Sequence, residues 1–183
     1  DNFENVMKAI GIINNAKGLN IGARHISIST SGIVPKIYEL AELKFGLTLS
    51  VSLHSSDNSG RSEIMPVNRA FGIPELLEAC KYYIERTGRR ITFEYAVMDG
   101  VNSSEKDAEK LAELLRGMNC HVNVIPINKV RERNYRTEKS GAVKFAQYLV
   151  RKGINATVRR TLGSDIEAAC GQLRRDSGLY IKQ

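Results

Sequence analysis

Apolar residues recur along this chain with two different periods, and the alternation between the periods outlines its elements. Stripes spaced three and four apart, the period of a helix face, run through Phe3, Val6, Met7, Ile10 and Ile13, with Asn2 as candidate N-cap and an end near Gly18. Similar stripes run through Ile37, Leu40, Ala41 and Leu43 behind Pro35, and through Leu76, Leu77, Cys80, Tyr83 and Ile84 within 74–86. A fourth stripe, Ala108, Leu111, Ala112 and Leu115, follows Ser103 and Ser104, whose spacing to Asp107 predicts a capping box, and stops at Gly117. A last helix is expected over 140–152. Strict alternation, the period of a strand, marks 24–29, 47–54, 91–97, 121–125 and 154–159.

Strands alternating with helices of this length predict right-handed crossovers and a parallel sheet. Such a sheet normally has both faces covered, and its strands then read as continuous apolar runs. Here Ile26 and Ile28 alternate with Ser27 and Ser29, Leu49, Val51 and Leu53 with Ser50, Ser52 and His54, and Phe93 and Tyr95 with Thr92 and Glu94. One face is apolar and the other small and polar. The expected fold is therefore α/β, an open partial (β/α) barrel of parallel strands, apolar against its helices and polar around a cavity. A chain of this design should begin with a strand, yet a helix comes first. Residues 1–183 are accordingly expected to be a fragment truncated at its N-terminal side, with earlier strands and half of the site absent.

Composition narrows the class. The 183 residues are 42% hydrophobic and 26% charged, an ordinary globular balance with enough chain for one core. No apolar run is long enough to span a bilayer and no leader pattern is seen, so a cytoplasmic protein without membrane contact is expected. Cys80, Cys120 and Cys170 are widely spaced and form no C-x-x-C pair, which argues against a disulfide framework or a self-contained zinc site. The net charge of +7 is one-sided: 14 Lys+Arg face 15 Asp+Glu in residues 1–128, against 13 and 5 in 129–183. A polyanionic partner, most often nucleic acid, fits that asymmetry, and plain solubility is the bland alternative.

In parallel strand–helix folds ligands bind beyond the C-terminal strand ends. Those positions hold Ser29 to Gly32, Ser52 to His54, Asp99 to Asn102, and Asn128. Their hydroxyls and amides suit an amino acid, ribose or nucleobase, and singly each also suits an ordinary turn or cap. His54 is the best placed of three histidines, none of which has metal-ligand spacing. Glu94, in mid-strand on the polar face, needs a partner, for which Arg24 or Arg159 could serve. The 18 residues 55–72 read as a long loop that packs down through Ile64, Met65 and Val67. Residues 128–140 interleave Lys129, Arg131, Arg133, Arg136 and Lys139 with Tyr135, a pattern suited either to a phosphate backbone with a stacked base or to a solvated loop. Cys80 and Cys120 read as small core residues. Cys170, beside Ala169 and Gly171 and on no helix stripe, stays open by pattern alone between a reactive thiol and a structural one.

Several strings carry a resemblance: I-S-T-S-G (28–32), S-L-H (52–54), R-S-E-I-M-P-V-N (61–68), F-E-Y (93–95), G-V-N (100–102), N-V-I-P-I-N (123–128) and G-S-D-I-E-A-A-C-G-Q-L (163–173). In this order the chain resembles the RlmN/Cfr family of radical S-adenosylmethionine RNA methyltransferases, and is close to the branch that methylates C2 of an adenine in 23S rRNA and in some tRNAs. The resemblance implies S-adenosylmethionine and a 4Fe–4S cluster as cofactors and an external electron donor. It implies Cys170 as the cysteine that is methylated and then carries the one-carbon unit, and Ser29, Ser52, Leu53, His54 and Asn128 as S-adenosylmethionine contacts.

The family's C-x-x-x-C-x-x-C cluster loop, its G-E-P motif and its N-terminal accessory domain have no counterpart in these residues. The resemblance thus implies that residues 1–183 are the C-terminal portion of a radical S-adenosylmethionine catalytic domain, and this chain alone is expected to be inactive. Three other readings compete: a Cfr-type enzyme acting at C8, a radical barrel acting on a small metabolite, and a non-catalytic RNA-binding module.

Overall fold

A computed structural model of the chain describes residues 2–127 and 139–159. Within it α1 (Phe3–Asn14) precedes five strands, β1 (Ser27–Thr30), β2 (Thr48–Ser52), β3 (Ile91–Val97), β4 (Cys120–Pro126) and β5 (Ala156–Val158). Between them lie α2 (Val34–Glu42), α3 (Asn58–Ile64), α4 (Ile73–Thr87), α5 (Glu105–Leu115) and α6 (Lys139–Arg151).

All strand pairs are parallel and the sheet order is β1-β2-β3-β4-β5. The order carries the architecture. Right-handed crossovers that always step in one direction lay every helix on the same face, whereas a doubly wound sheet reverses its order midway and covers both. The single core cluster agrees, joining Leu49, Val51, Phe93, Tyr95, Val122 and Val124 of the strands to Ile37, Leu40, Leu76, Cys80, Leu111 and Leu149 of the helices. The other face keeps its polar rows. Register aligns Ser29, Ser50, Thr92 and His121 across β1 to β4, and Ser52, Glu94, Asn123 and Thr157 across β2 to β5. The α/β fold of parallel strands with one polar face, expected from the alternation, is thus the one observed.

Local chemistry sets the element ends. Ser104 caps α5, its Oγ accepting from the Asp107 N–H at 3.1 Å while the Asp107 carboxylate accepts from the Ser104 N–H at 3.0 Å. Tyr83 is buried and donates its hydroxyl to the Leu47 carbonyl at 2.8 Å, tying α4 to the start of β2. Cys80 and Cys120 are buried, and burial pushes their thiols up to about 12 and about 11, which makes them core residues as expected.

Three expectations need correction. Residues 23–25 form a 3-10 turn, closed by His25 N–H donating to the Gly22 carbonyl at 2.8 Å, so the first strand starts at Ser27 and not at Arg24. Asn2 precedes α1 but makes no side-chain cap bond. Residues 55–72 are not a structureless loop: α3 begins behind Asp57, whose carboxylate accepts from the Gly60 N–H at 2.8 Å, and a second 3-10 turn covers Pro66–Arg69. Its buried members are Ser55, Ser56, Arg61 and Asn68, while Ile64, Met65 and Val67 stay partly exposed.

Candidate functional site at the strand ends

The C-terminal ends of β1, β2 and β3 are held together by two polar side chains. Arg61, fully buried, donates Nε to the Leu53 carbonyl at 3.2 Å, Nη1 to Asn68 Oδ1 at 2.9 Å, and Nη2 to the carbonyls of Ser31 and Ser52 at 2.8 and 3.0 Å. Among the described residues no carboxylate pairs with it. Four oxygens solvate the guanidinium instead. Asn102 does the same for the next strand end, donating Nδ2 to the carbonyls of His54 and Ala96, both at 2.8 Å, and accepting the Met98 N–H on Oδ1 at 2.6 Å.

Between these clamps lies Ser52-Leu53-His54. The Glu94 carbonyl accepts the N–H groups of Leu53 and His54 at 3.0 and 3.3 Å. His54 adopts a left-handed backbone, φ 57°, which turns the chain out of the strand, and its Nδ1 accepts the Ala96 N–H at 3.0 Å. A ring that accepts on Nδ1 carries its proton on Nε2, leaving an N–H donor for a ligand. Burial, reinforced by the Arg61 guanidinium, pushes the imidazole down from 6.5 to about 4, so His54 is neutral near pH 7.

That shift has a sign. The unfolded chain, with an ordinary imidazole, takes up a proton between pH 6.5 and 4 that the folded chain refuses. Folding stability is fully present above that window and falls on acidification through it, by up to about 3 kcal/mol. Denaturant melts from pH 7 to 4 should show this loss, and His54→Asn, which keeps an acceptor for the Ala96 N–H but cannot titrate, should flatten it. An unchanged slope in the variant would assign the acid lability elsewhere.

The expected site residues divide. Ser29 and Ser52 lie on the open polar face, Ser29 exposed and Ser52 partly so. Leu53 is different, its side chain fully buried in the core and both its backbone groups engaged. Asn128, Lys129, Arg131, Arg133, Tyr135, Arg136 and Cys170 lie outside the described residues. Glu94 finds an amide instead of a cation, its carboxylate accepting from Asn123 Nδ2 at 2.8 Å, and Arg24 donates to His25 at 3.1 Å. Asn123 succeeds because register sets it directly opposite Glu94 on the neighbouring strand. His121 and Thr157 pair diagonally across β4 and β5, at 2.9 Å.

The sequence pattern did not single out Arg61 and Asn68 as site-forming residues. Both sit in a polar stretch without periodicity, and an arginine is among the residues least often buried without a carboxylate. For cofactors, the groups at the strand ends, two serine hydroxyls and the neutral His54 imidazole, suit a polar organic ligand such as S-adenosylmethionine. Among the described residues there is no group of three or more His, Cys, Asp or Glu that could hold a metal ion, so they do not provide an iron–sulfur cluster site. Nor is any described helix long and apolar enough to cross a membrane.

Sequential parallel strands, helices on one side and polar groups at the strand ends define a partial α/β barrel. Comparison with known proteins places it further. The crystal structure of a radical SAM methyltransferase from Sphaerobacter thermophilus superposes with a TM-score of 0.88 at 48% identity, over 93% of this chain and 50% of that one. A domain of pyruvate-formate lyase-activating enzyme from Bacteroides vulgatus, at 18% identity and TM-score 0.63, shares the fold alone. Among curated proteins the sequence is similar to several named RlmN. Over its whole length it is 55% identical to a probable dual-specificity RNA methyltransferase RlmN of Caldanaerobacter subterraneus, of which it covers 53%, and over 96% of its length it is 57% identical to the same-named protein of Clostridioides difficile, of which it covers 51%. The chain thus spans about half the length of these curated relatives. No family model matches it.

Proposed function

We propose that this chain forms the S-adenosylmethionine-binding part of a radical RNA methyltransferase that acts on C2 of an adenine in 23S rRNA, and also on tRNA. The observation that carries the reading is the placement of Ser29, Ser52 and a neutral His54 at adjacent parallel strand ends beside the sheet's polar face. Relatives named as RNA methyltransferases support the same reaction class.

When bound, S-adenosylmethionine supplies the methyl group. The chain's residues bind and orient it: the serines offer hydroxyls that donate or accept, and the His54 N–H donates without adding a positive charge beside a cationic sulfonium. Cys170 is assigned as the thiol that receives the methyl group, and Asn128 as a further contact. The cations Lys129, Arg131, Arg133 and Arg136 with Tyr135 are assigned to RNA, the Lys and Arg for phosphate and the tyrosine for a stacked base. The basic excess in residues 129–183 favours RNA over a small metabolite as substrate.

The test uses the polypeptide as its gene encodes it, purified without oxygen and given S-adenosylmethionine. Peptide mass spectrometry should find a methyl thioether on Cys170, and calorimetry should find binding that Ser52→Ala weakens. An unmodified Cys170 in a protein that does bind S-adenosylmethionine would remove the thiol-carrier assignment. Absence of binding would remove the whole reading.

A further inference from the structure

We infer that Arg61, buried behind the strand ends, is a positioning residue for ligand binding: its planar fork holds Ser31, Ser52 and Leu53 so that His54 presents one fixed imidazole tautomer. The inference rests on the proposed S-adenosylmethionine reading and names a residue that acts behind the ligand contacts without touching them.

The geometry is specific to a guanidinium. The three carbonyls come from two different strand ends, and Nε and Nη2 reach them from one rigid plane, with Nη1 anchored on Asn68. Asn68 is fixed in turn, donating Nδ2 to the Asn58 carbonyl at 3.0 Å and to Ser62 Oγ at 2.8 Å. Both residues are buried, so neither can be serving solubility or a surface ion pair.

Of the backbone carbonyls in residues 52–54, Arg61 engages two and Asn102 the third. A segment whose three carbonyls are all taken by side chains from other elements has little freedom to rotate. That is what a left-handed residue at a binding turn requires, because the conformation costs free energy unless its surroundings impose it. Once the turn is set, the distance from Ala96 N–H to His54 Nδ1 is set, and with it the tautomer. A lysine could keep the charge but offers one point of attachment on a flexible stem, and so cannot hold two strand ends at once.

The experiment compares Arg61→Lys with the unsubstituted polypeptide, as its gene encodes it, by calorimetry with S-adenosylmethionine and by nitrogen NMR of the His54 ring. The unsubstituted protein should show the Nε2–H tautomer. Arg61→Lys should fold, show a mixture of tautomers, and bind S-adenosylmethionine at least tenfold more weakly. A folded Arg61→Lys protein with an unchanged tautomer and an affinity within twofold would overturn the inference. If the lysine variant does not fold, Asn68→Ala, which takes from Arg61 its Nη1 anchor and leaves Nε and Nη2 their carbonyls, should shift the tautomer in the same direction, and no shift there would overturn it equally. Should the unsubstituted protein fail to bind S-adenosylmethionine, the ligand reading falls, while the tautomer still decides whether Arg61 sets the turn.

Discussion

Asn102→Ala is expected to lower the free energy of unfolding by about 3 kcal/mol, since its side chain makes three hydrogen bonds and each is worth about 1 kcal/mol net. The position is buried, 4% exposed, so water cannot easily replace what is lost. Alanine leaves the Met98 N–H and the carbonyls of His54 and Ala96 without partners, and an unpaired buried group costs more than the bond it once made. Asn102→Asp is expected to be no milder. Its carboxylate still accepts from the Met98 N–H, but it turns a second oxygen toward two carbonyls that need a donor. Denaturant unfolding of both variants checks this, and a loss under about 1 kcal/mol in the alanine variant would show that the clamp is not rigid in solution.

The same residue shows why part of the site was legible in the sequence and part was not. Alternation in 47–54 and 91–97 placed Ser50, Ser52, Thr92 and Glu94 on one face because the strand period is two, a purely local property. Strand–helix repetition pointed to parallel strands and the polar alternation to a polar face, whereas the one-way strand order is seen only in the structure. Asn102 was visible as a turn residue, and a structural role was the favoured reading for any one such position, but nothing local says that its amide spans two strand ends. Glu94 was correctly seen to need a partner. Choosing Asn123 over a cation required the β3–β4 register, which the sequence does not print.

Arg61 was harder still. Its neighbours Asp57 to Ser62 are all polar or glycine, the composition of an exposed loop, and the one sign of burial is that a short helix folds back there on the Asp57 cap. The apolar residues of that segment, which did draw attention, remain half-exposed. Burial here follows the carbonyls that need donors at the strand ends, not hydropathy.

Gly32→Val tests that coupling from the other side of the clamp. Gly32 has φ 106°, and a Cβ there would lie 3.0 Å from Arg61 Nη2 and 3.2 and 3.3 Å from the two Leu76 methyl carbons. Two penalties combine: backbone strain of about 1–3 kcal/mol for a non-glycine residue in that region, and displacement of either Arg61 or a fully buried leucine. Gly88→Val is the control, because Gly88 also has positive φ, 66°, but its Cβ would meet nothing within 4 Å. The control should show the strain alone. Gly32→Val should cost about 2 kcal/mol more than the control, the scale of overpacking a filled interior, and should also disturb the His54 ring resonances because Nη2 must leave Ser31 and Ser52. If the two variants lose equal stability and the His54 resonances stay in place, the β1 turn and the Arg61 fork are independent, and Gly32 is needed only for its backbone angle.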